Sequence, residues 1–347
     1  MILAFESSCD DTSVALMDAQ GIVLALRSQN QDAVHAPYGG VFPELACRNH
    51  TRWILPLLDQ VFSDSGAQWK DVKAIAVTAR PGLIGSLMVG VTTAKALALA
   101  KGLPLIDVNH LEGHLHACFV DRTSKGGALN YPFLGLCVSG GHTALYLVKG
   151  LGKYEKLGQT LDDAAGEAFD KFGKLIGLGY PAGPVVDKRA AGGDAKAYAF
   201  PRPLVKRNKD LNFSFSGLKT AGLEQVRRLA PAGSESDSSF DEKTIANLCA
   251  SYQEAIVDVL IEKLVRAVKK TGIKTVVITG GVAANSRLRS RAEDWAKTIG
   301  VAVHTPPRSL CADNAAMIAY VGLQKYKAKQ FTDLSLSPQA LSNPKEP

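Results

Sequence analysis

The sequence predicts an α/β protein built from two related halves, and three observations support this prediction. First, ILAFESSCDDTSVALMD at 2–18 and FLGLCVSGGHTALYLVKG at 133–150 share one plan: an apolar run, a small polar turn and a second apolar run. Second, 73–94 and 274–296 each combine a buried strand, a turn with Pro-Gly or Gly-Gly, and a helical pattern. Third, each of the two hairpin-like segments is followed later in the chain by one strand-turn-helix unit, as expected for an internal repeat.

Length and composition are typical of a folded cytoplasmic protein. A chain of 347 residues exceeds one ordinary core and predicts two domains or a large two-lobed unit. Six cysteines without a C-x-x-C pair indicate free thiols, and the first apolar run, MILAF, is too short for a signal peptide. The net charge of +7 fits an anionic partner such as RNA or a nucleotide. On charge alone, however, an ordinary soluble protein is favoured.

Helical patterns fill much of the chain between the repeated segments. The longest apolar stretch, 83–100, contains Lys95 and two threonines, so a buried helix is favoured over a membrane span. Further helices are predicted over 41–62, with Pro56 as a kink or boundary, over 161–177, and over 244–270. The polar tail after Lys327 is expected to fray.

The segment NHLEGHLHACF contains three of the seven histidines. Asn109 is expected to cap a helix, with Glu112 completing a capping box, so that His110 and His114 lie one turn apart on one face. Two imidazoles in this arrangement are typical of a metal-binding helix. Ordinary structural histidines are the alternative. Gly113, which lowers helix stability by about 1 kcal/mol, indicates close approach by another element and favours metal binding.

A catalytic metal site needs a third protein ligand, and the residues leave it open. The candidates are Asp10 and Asp11 in the first hairpin turn, Cys118 one turn beyond His114, and Asp313 in the first turn of a predicted final helix. Two histidines with one carboxylate would suit Fe(II) or Zn.

A metalloprotease is disfavoured on mechanism. That chemistry uses H-E-x-x-H, in which the glutamate next to the first histidine acts as the general base. Here the order is H-L-E-G-H, and Glu112 is predicted to point away from the metal face.

Glycine-rich turns indicate an anion-binding site. Backbone amides at such turns, or at the start of a helix after a strand, are arranged to bind phosphate. A cleft between the two halves is therefore the expected place for a nucleotide or an acyl-phosphate group.

Nine motifs in order resemble the TsaD (Gcp, Kae-type) family over nearly the whole chain. They are FESSCDDTSVAL, VTARPGLIGSLMVG, VNHLEGHLHA, CVSGGHTAL, DDAAGEAFDK, GYPAGP, FSFSGLKTA, ITGGVAANSRLR and CADNAAMIA. The resemblance implies a two-lobed, actin-like (ASKHA) ATPase fold with an interlobe cleft. It also implies transfer of the threonylcarbamoyl group from threonylcarbamoyl-AMP to N6 of the adenosine 3′ of the anticodon, in tRNAs reading ANN codons.

The resemblance also implies roles for particular residues. One divalent iron or zinc ion is expected on His110, His114 and Asp313, with His110, His114 and Asp10 acting in catalysis and Asp10 orienting or deprotonating the attacking amine. The acyl-adenylate is expected on Cys137, Val138, Ser139, Gly140 and Gly141, with Asp170 and Asp187 as ribose partners, and Gly183 and Asn285 beside the nucleotide. A solvated helix face is the alternative for Asp170, and a simple helix cap is the alternative for Asn285.

The expected domains are an N-terminal lobe over 1–128, with a final helix at 308–328 packing back near the metal site, a C-terminal lobe over 129–307, and a polar tail over 329–347. The family's Pro-Gly-Gly-Pro turn reads PAGP here, so Ala182 is expected to restrict this loop while Gly183 preserves contact with the substrate.

Partners follow from the same resemblance. They are tRNA, a TsaB-like paralogue and a TsaE-like ATPase, with an exposed apolar face near 41–62 or 83–100 as the docking surface and no membrane. A basic and aromatic stretch is a candidate to grip the tRNA backbone and to stack a base on its aromatic rings, and a second basic cluster lies further on: Arg202, Lys206, Arg207, Lys209, Phe213 and Phe215, then Arg287, Arg289 and Arg291. For either cluster taken alone, a solvated face is favoured. An actin-like small-molecule kinase and a nonenzymatic nucleotide-binding module are the alternative functions.

Overall fold

The computed structural model describes residues 1–120, 129–205, 210–229, 240–342 and 347. These residues form two compact units. Unit 1 comprises 1–131, 148–155 and 306–347, and unit 2 comprises 132–147 and 156–305. This grouping differs from the predicted lobes in one respect, since the short segment 148–155 belongs to unit 1. The lobe boundaries given in the sequence analysis stay a prediction.

Within the described residues, ten strands form two five-stranded sheets. The strands are β1 Ile2–Glu6, β2 Thr12–Met17, β3 Val23–Gln29, β4 Ala74–Arg80, β5 Leu105–Asn109, β6 Phe133–Val138, β7 Thr143–Gly150, β8 Lys153–Gln159, β9 Thr275–Thr279 and β10 Ala302–His304. The helices are α1 Asp32–His35, α2 Pro43–Ser65, α3 Ile84–Lys101, α4 His110–His116, α5 Ala165–Leu175, α6 Gly183–Ala190, α7 Ser216–Leu229, α8 Glu242–Thr271, α9 Ser286–Ile299 and α10 Ala315–Lys327.

The two sheets repeat one strand order, which confirms the predicted duplication. The first runs β3-β2-β1-β4-β5 and the second runs β8-β7-β6-β9-β10. β1 pairs antiparallel with β2 and parallel with β4, while β6 pairs parallel with β9. Both predicted strand-turn-helix units are present, as β4 followed by α3 and as β9 followed by α9.

The core of unit 1 lies between its sheet and helices α2, α3 and α10. Strands β1, β2 and β4 are buried along their whole length, as expected for strands covered on both faces. α2 continues through Pro56, so this proline lies inside the helix and does not end it. α10 crosses β1, β2 and β4 and packs against α4.

α3 differs from its prediction as a buried helix. Among the described helices, it alone is long and apolar enough to cross a membrane by length and composition. One face, including Leu87, Val91 and Ala94, is buried, and the helix packs on β4 and α2. The opposite face is open, with Met88 51% and Leu99 70% exposed.

The tail is more ordered than its composition predicted. The Thr332 amide donates to the Leu105 carbonyl at 2.9 Å, and the Gln339 amide donates to the Ala79 carbonyl at 2.9 Å. Leu336 packs on the core of unit 1. The prediction of fraying is therefore wrong for residues 328–342, because backbone hydrogen bonds and an apolar anchor hold them against unit 1.

Unit 2 is organised around α8, which is buried along most of its length and packs against α6 and α9. The Tyr252 ring on α8 stacks on Phe172 with centroids 3.8 Å apart. Phe213 and Phe215 are both 0% exposed. The prediction that these two rings stack on an RNA base is therefore wrong, because both belong to the core.

Candidate active site

The helix that carries His110 and His114 forms where the sequence predicted it. The Asn109 side chain caps α4 by accepting hydrogen bonds from the Leu111 amide at 2.8 Å and the Glu112 amide at 3.2 Å. Because the cap fixes the first turn, His110 and His114 share one face, and their rings meet edge to face with centroids 4.6 Å apart. Both side chains are almost fully buried.

The predicted capping box does not form, because the Glu112 carboxylate accepts hydrogen bonds from groups outside α4. Its carboxylate accepts hydrogen bonds from the Tyr154 hydroxyl and, at 3.1 Å, from the Gly152 amide. Lys325 Nζ lies 3.7 Å away. These groups line a polar cavity of about 360 Å³. Glu112 therefore points away from the imidazole nitrogens that meet Asp313, as predicted, so it is not placed there as the general base of a peptidase.

Asp313 completes a three-residue group with the two histidines. Its Oδ1 lies 3.0 Å from His114 Nε2 and 3.5 Å from His110 Nε2. The ligand atoms of the three residues all lie within 4.8 Å of one another, which is close enough to share one metal ion. Asp10, Asp11 and Cys118 are not members of this group.

Asp313 does not lie in the first turn of α10. Asn314 is the N-cap, and its side chain accepts a hydrogen bond from the Met317 amide at 3.0 Å. Asp313 therefore precedes the helix, in the turn that leads into it. Gly113 allows α10 to approach α4, since a Cβ there would lie 2.9 Å from Ile318 Cδ1 and 3.1 Å from Met317 Cγ.

The electrostatics of the group favour a cation. Burial lowers the pKa of His110, but the charges of Asp313 and then Glu6 outweigh it and raise this pKa to about 9. Burial raises the pKa of Asp11 to about 8, with the charges of Asp313 and Asp10 adding to the effect. Burial is also the main cause of a raised Asp10 pKa. Several carboxylates thus repel one another in a desolvated region, as in many cation sites.

The chemistry of the three donors fits the predicted metal. Two imidazole nitrogens and one carboxylate oxygen are the donors that Zn and Fe(II) accept, and three protein ligands leave positions open for a substrate. In addition, Glu6 lies 3.1 Å from His110 Nδ1, the nitrogen that faces away from the group. A carboxylate behind a histidine ligand is a common feature of protein metal sites.

In unit 2, the predicted phosphate-binding turn joins β6 to β7. Cys137 and Val138 end β6 in full burial, whereas Gly140 and Gly141 are exposed at the tip. The Ser139 amide donates to the His142 carbonyl at 2.7 Å, which closes the turn. The start of α5 packs on it, because a Cβ on Gly166 would lie 2.6 Å from the Ser139 carbonyl oxygen.

The remaining predicted nucleotide residues form two hydrogen-bonded connections in unit 2. Asp170 Oδ1 accepts from the Ala182 amide at 2.8 Å and the Gly183 amide at 3.2 Å, so it is not a solvated residue on a helix face. Asp187 accepts from the Ser286 amide and hydroxyl.

Asn285 caps α9 through the Leu288 amide at 2.9 Å and donates to Gln253 at 2.7 Å. Asn285 therefore acts as a helix cap, which the sequence analysis gave as the alternative to a role beside the nucleotide. The bond to Gln253 adds a second constraint, so the side chain is held at both ends.

Ala182 fits its turn without strain. Its φ of −92° is an ordinary right-handed value, so the backbone does not require glycine there. Its methyl group packs against Gly173 of α5. The contact that could restrict this loop is therefore the packing of the methyl group and not the backbone conformation, and the restriction itself stays a prediction.

The described arginines of the two predicted basic clusters form ion pairs or hydrogen bonds with other residues of unit 2. Arg202 pairs with Asp258 at 3.0 Å, and Arg287 pairs with Glu254 at 2.6 Å. Arg291 pairs with both acids. Arg289 Nε donates to the Ala283 carbonyl at 2.6 Å. Lys206, Arg207 and Lys209 lie outside the described residues.

Comparison with known proteins gives the family. The sequence model of TsaD, tRNA N6-adenosine threonylcarbamoyltransferase, matches residues 22–320. The chain belongs to this family. A tRNA N6-adenosine threonylcarbamoyltransferase of Bdellovibrio bacteriovorus is 49% identical over 346 residues, which cover 99% of this chain and 98% of that protein. One from Bordetella petrii is 49% identical over 328 residues, covering 94% and 91%.

Solved structures of other proteins share the fold. Full-length HypF, in a phosphate- and nucleotide-bound form, aligns with a TM-score of 0.60 at 14% identity over 95% of this chain and 47% of HypF. The activator of 2-hydroxyisocaproyl-CoA dehydratase from Clostridium difficile aligns with a TM-score of 0.51 at 14% identity over 94% and 95%. The actin-like fold class predicted from the sequence is confirmed.

Sequence reasoning missed one functional residue, Glu6, which lies behind His110 of the three-residue group. Ser8 Oγ lies 3.0 Å from His110 Nδ1, next to the Glu6 carboxylate. The available signal was Glu6 itself, a carboxylate at the end of an otherwise apolar strand. A buried charge of this kind is costly without a partner, and therefore indicates one.

Proposed function

We propose that the chain transfers the threonylcarbamoyl group of threonylcarbamoyl-AMP to N6 of the adenosine 3′ of the anticodon, in tRNAs reading ANN codons. The N6 amine forms a bond to the carbamoyl carbonyl carbon and loses one proton, the bond from that carbon to the phosphate oxygen breaks, and AMP leaves. Membership of the family supports the activity. The observation that carries the site assignment is the close grouping of His110, His114 and Asp313.

His110, His114 and Asp313 would hold one divalent iron or zinc ion. Such an ion supplies Lewis acidity that polarises a carbonyl group. Burial of both imidazoles limits competition from water, and the Asn109 cap fixes the helix that carries them. Asp10, whose pKa is raised mainly by burial and also by the charge of Asp313, is proposed to orient or deprotonate the attacking amine.

The β6–β7 turn of unit 2 would bind the acyl-adenylate. Its exposed tip at Gly140 and Gly141 has open space where side chains would otherwise lie, so a phosphate can approach the backbone amides. Asp170 holds Gly183, and Asp187 holds the start of α9 beside Asn285. These contacts support a rigid nucleotide site built from Cys137, Val138, Ser139, Gly140, Gly141, Asp170, Gly183, Asp187 and Asn285.

The proposed partners are tRNA, a TsaB-like paralogue and a TsaE-like ATPase in the cytoplasm. α2 and α3 pack on each other, and both carry exposed apolar side chains: Leu55 is 52% exposed, Ile84 42% and Met88 51%. Apolar groups of this size in one region favour a protein interface, so we assign the paralogue to this surface.

The test is a reconstituted reaction. The purified chain, its two partner proteins, threonylcarbamoyl-AMP and unmodified tRNA are incubated, and the nucleosides are analysed by mass. Threonylcarbamoyladenosine is expected with the wild type and is lost in His114→Ala, with folding checked by circular dichroism. His304→Ala, which removes a half-buried histidine from β10, is the matched control and should retain the product. Full activity in His114→Ala would overturn the site assignment, and phosphorylation of a hydroxyl acceptor would instead identify a kinase.

A further inference from the structure

Glu6 is a buried acid without an obvious role in the fold. It is the last residue of β1, follows four apolar residues of the same strand, and is 0% exposed. Removing a carboxylate from water costs several kcal/mol unless its partners compensate. Among the described residues, the ion-pair partner of Glu6 is His110, and no lysine or arginine reaches it.

Both oxygens of the Glu6 carboxylate are fixed by neighbouring donors. Oε1 accepts from the Ser8 amide at 2.6 Å, and Oε2 accepts from the Thr78 hydroxyl at 2.5 Å. Oε2 also lies 3.1 Å from His110 Nδ1. The carboxylate cannot rotate without losing these bonds, so its position relative to the imidazole is set by β1 and β4.

The position of the carboxylate determines which nitrogen of His110 carries a proton. An ionised carboxylate only accepts hydrogen bonds, so Nδ1 beside it must be the N–H donor. In the neutral ring, the lone pair then belongs to Nε2, which faces Asp313 at 3.5 Å. We infer that Glu6 is a positioning residue that holds the Nδ1–H form of His110 and thereby directs Nε2 to the metal. This inference rests on the proposed function, since it assumes that the three-residue group binds a metal.

Glu6→Gln is the informative variant, because the surrounding donors dictate how the new amide must lie. The Ser8 amide donates to the Oε1 position, which therefore has to remain an oxygen. The NH2 group is then placed at Oε2, where it donates to His110 Nδ1. The ring proton moves to Nε2, and the lone pair no longer faces the metal. Zinc should bind about 10- to 100-fold more weakly, as measured by competition with a chromophoric chelator.

Ser8→Ala is the matched control. Ser8 Oγ also lies near His110 Nδ1, at 3.0 Å, but its removal leaves the carboxylate in place. Zinc affinity should therefore stay close to that of the wild type. Thermal unfolding in excess chelator shows whether each variant is folded. A folded Glu6→Gln protein that binds zinc like the wild type, or an equal loss in Ser8→Ala, would overturn the inference.

A second measurement needs no variant. In zinc-loaded wild type labelled with ¹⁵N-histidine, the imidazole proton of His110 should be found on Nδ1 as a slowly exchanging, downfield N–H signal. A proton on Nε2, with Nδ1 bound to zinc, would overturn the inference. If the wild type binds no zinc, the proposed metal site fails instead, and the product assay tests the transfer reaction separately.

Discussion

Replacing Gly173 with alanine should disturb the turn that carries Gly183, because α5 and this turn are in direct contact. A Cβ on Gly173 would lie 2.1 Å from Ala182 Cβ and 3.4 Å from Ala182 Cα. Both methyl groups are attached directly to backbone, so neither can move aside by rotation. The backbones must separate, and the bond from the Ala182 amide to Asp170 at 2.8 Å must lengthen.

Two opposing contributions decide the magnitude. Overpacking costs about 1–3 kcal/mol. Replacing a helical glycine with alanine stabilises by about 1 kcal/mol. We therefore expect Gly173→Ala to lower the free energy of unfolding by up to about 2 kcal/mol. In the double variant Gly173→Ala/Ala182→Gly, only one methyl group remains at the contact, and stability should return, with a coupling energy of about 1–3 kcal/mol.

Urea unfolding of the full chain, followed by circular dichroism, measures all four members of this cycle. Gly217→Ala is the control, since Gly217 is also helical but a Cβ there meets its nearest neighbour, Pro203 Cγ, at 3.9 Å. It should be neutral or slightly stabilising. If Gly173→Ala is as stable as Gly217→Ala, or if the double variant shows no coupling, the packing argument is refuted.

Burial lowers the pKa of His50, so below about pH 6.5 the unfolded state gains a proton that the folded state lacks. The free energy of unfolding, measured in urea, should therefore decrease as the pH is lowered, and more steeply in the wild type than in His50→Gln, by at most about 1.4 kcal/mol per pH unit. Equal slopes in the two proteins would contradict this. Gly113→Ala should push α10 from α4 and weaken zinc binding, with partial recovery in Gly113→Ala/Ile318→Val, since Ile318 Cδ1 is the nearest atom; unchanged affinity would show that α10 can yield. Deletion of 331–347 should lower the unfolding temperature measured by calorimetry, because it removes the backbone bonds to β5 and β4, and an unchanged temperature would mean that the tail contributes nothing to stability.

The sequence by itself determined the elements whose causes are local. Both predicted hairpins, both strand-turn-helix units and the long helix α8 form where period and turn residues indicated. The spacing of His110 and His114 and the cap at Asn109 likewise depend on residues a few positions apart. Such features follow from backbone geometry and short-range hydrogen bonds, which are present in the sequence as patterns.

Only the tertiary structure decided which distant residues meet. Asp313 reaches His114 across 199 positions, whereas Asp10 and Asp11, equally good ligands by residue type, do not join the group. The predictions that Phe213 stacks on a base and that the tail frays were wrong, since Phe213 is buried and the tail docks on unit 1. Aromatic character and polarity do not reveal which surface a segment packs against. The physical reason is the same in each case: long-range contacts depend on how complete elements pack together, and single residues carry no local signal of that packing.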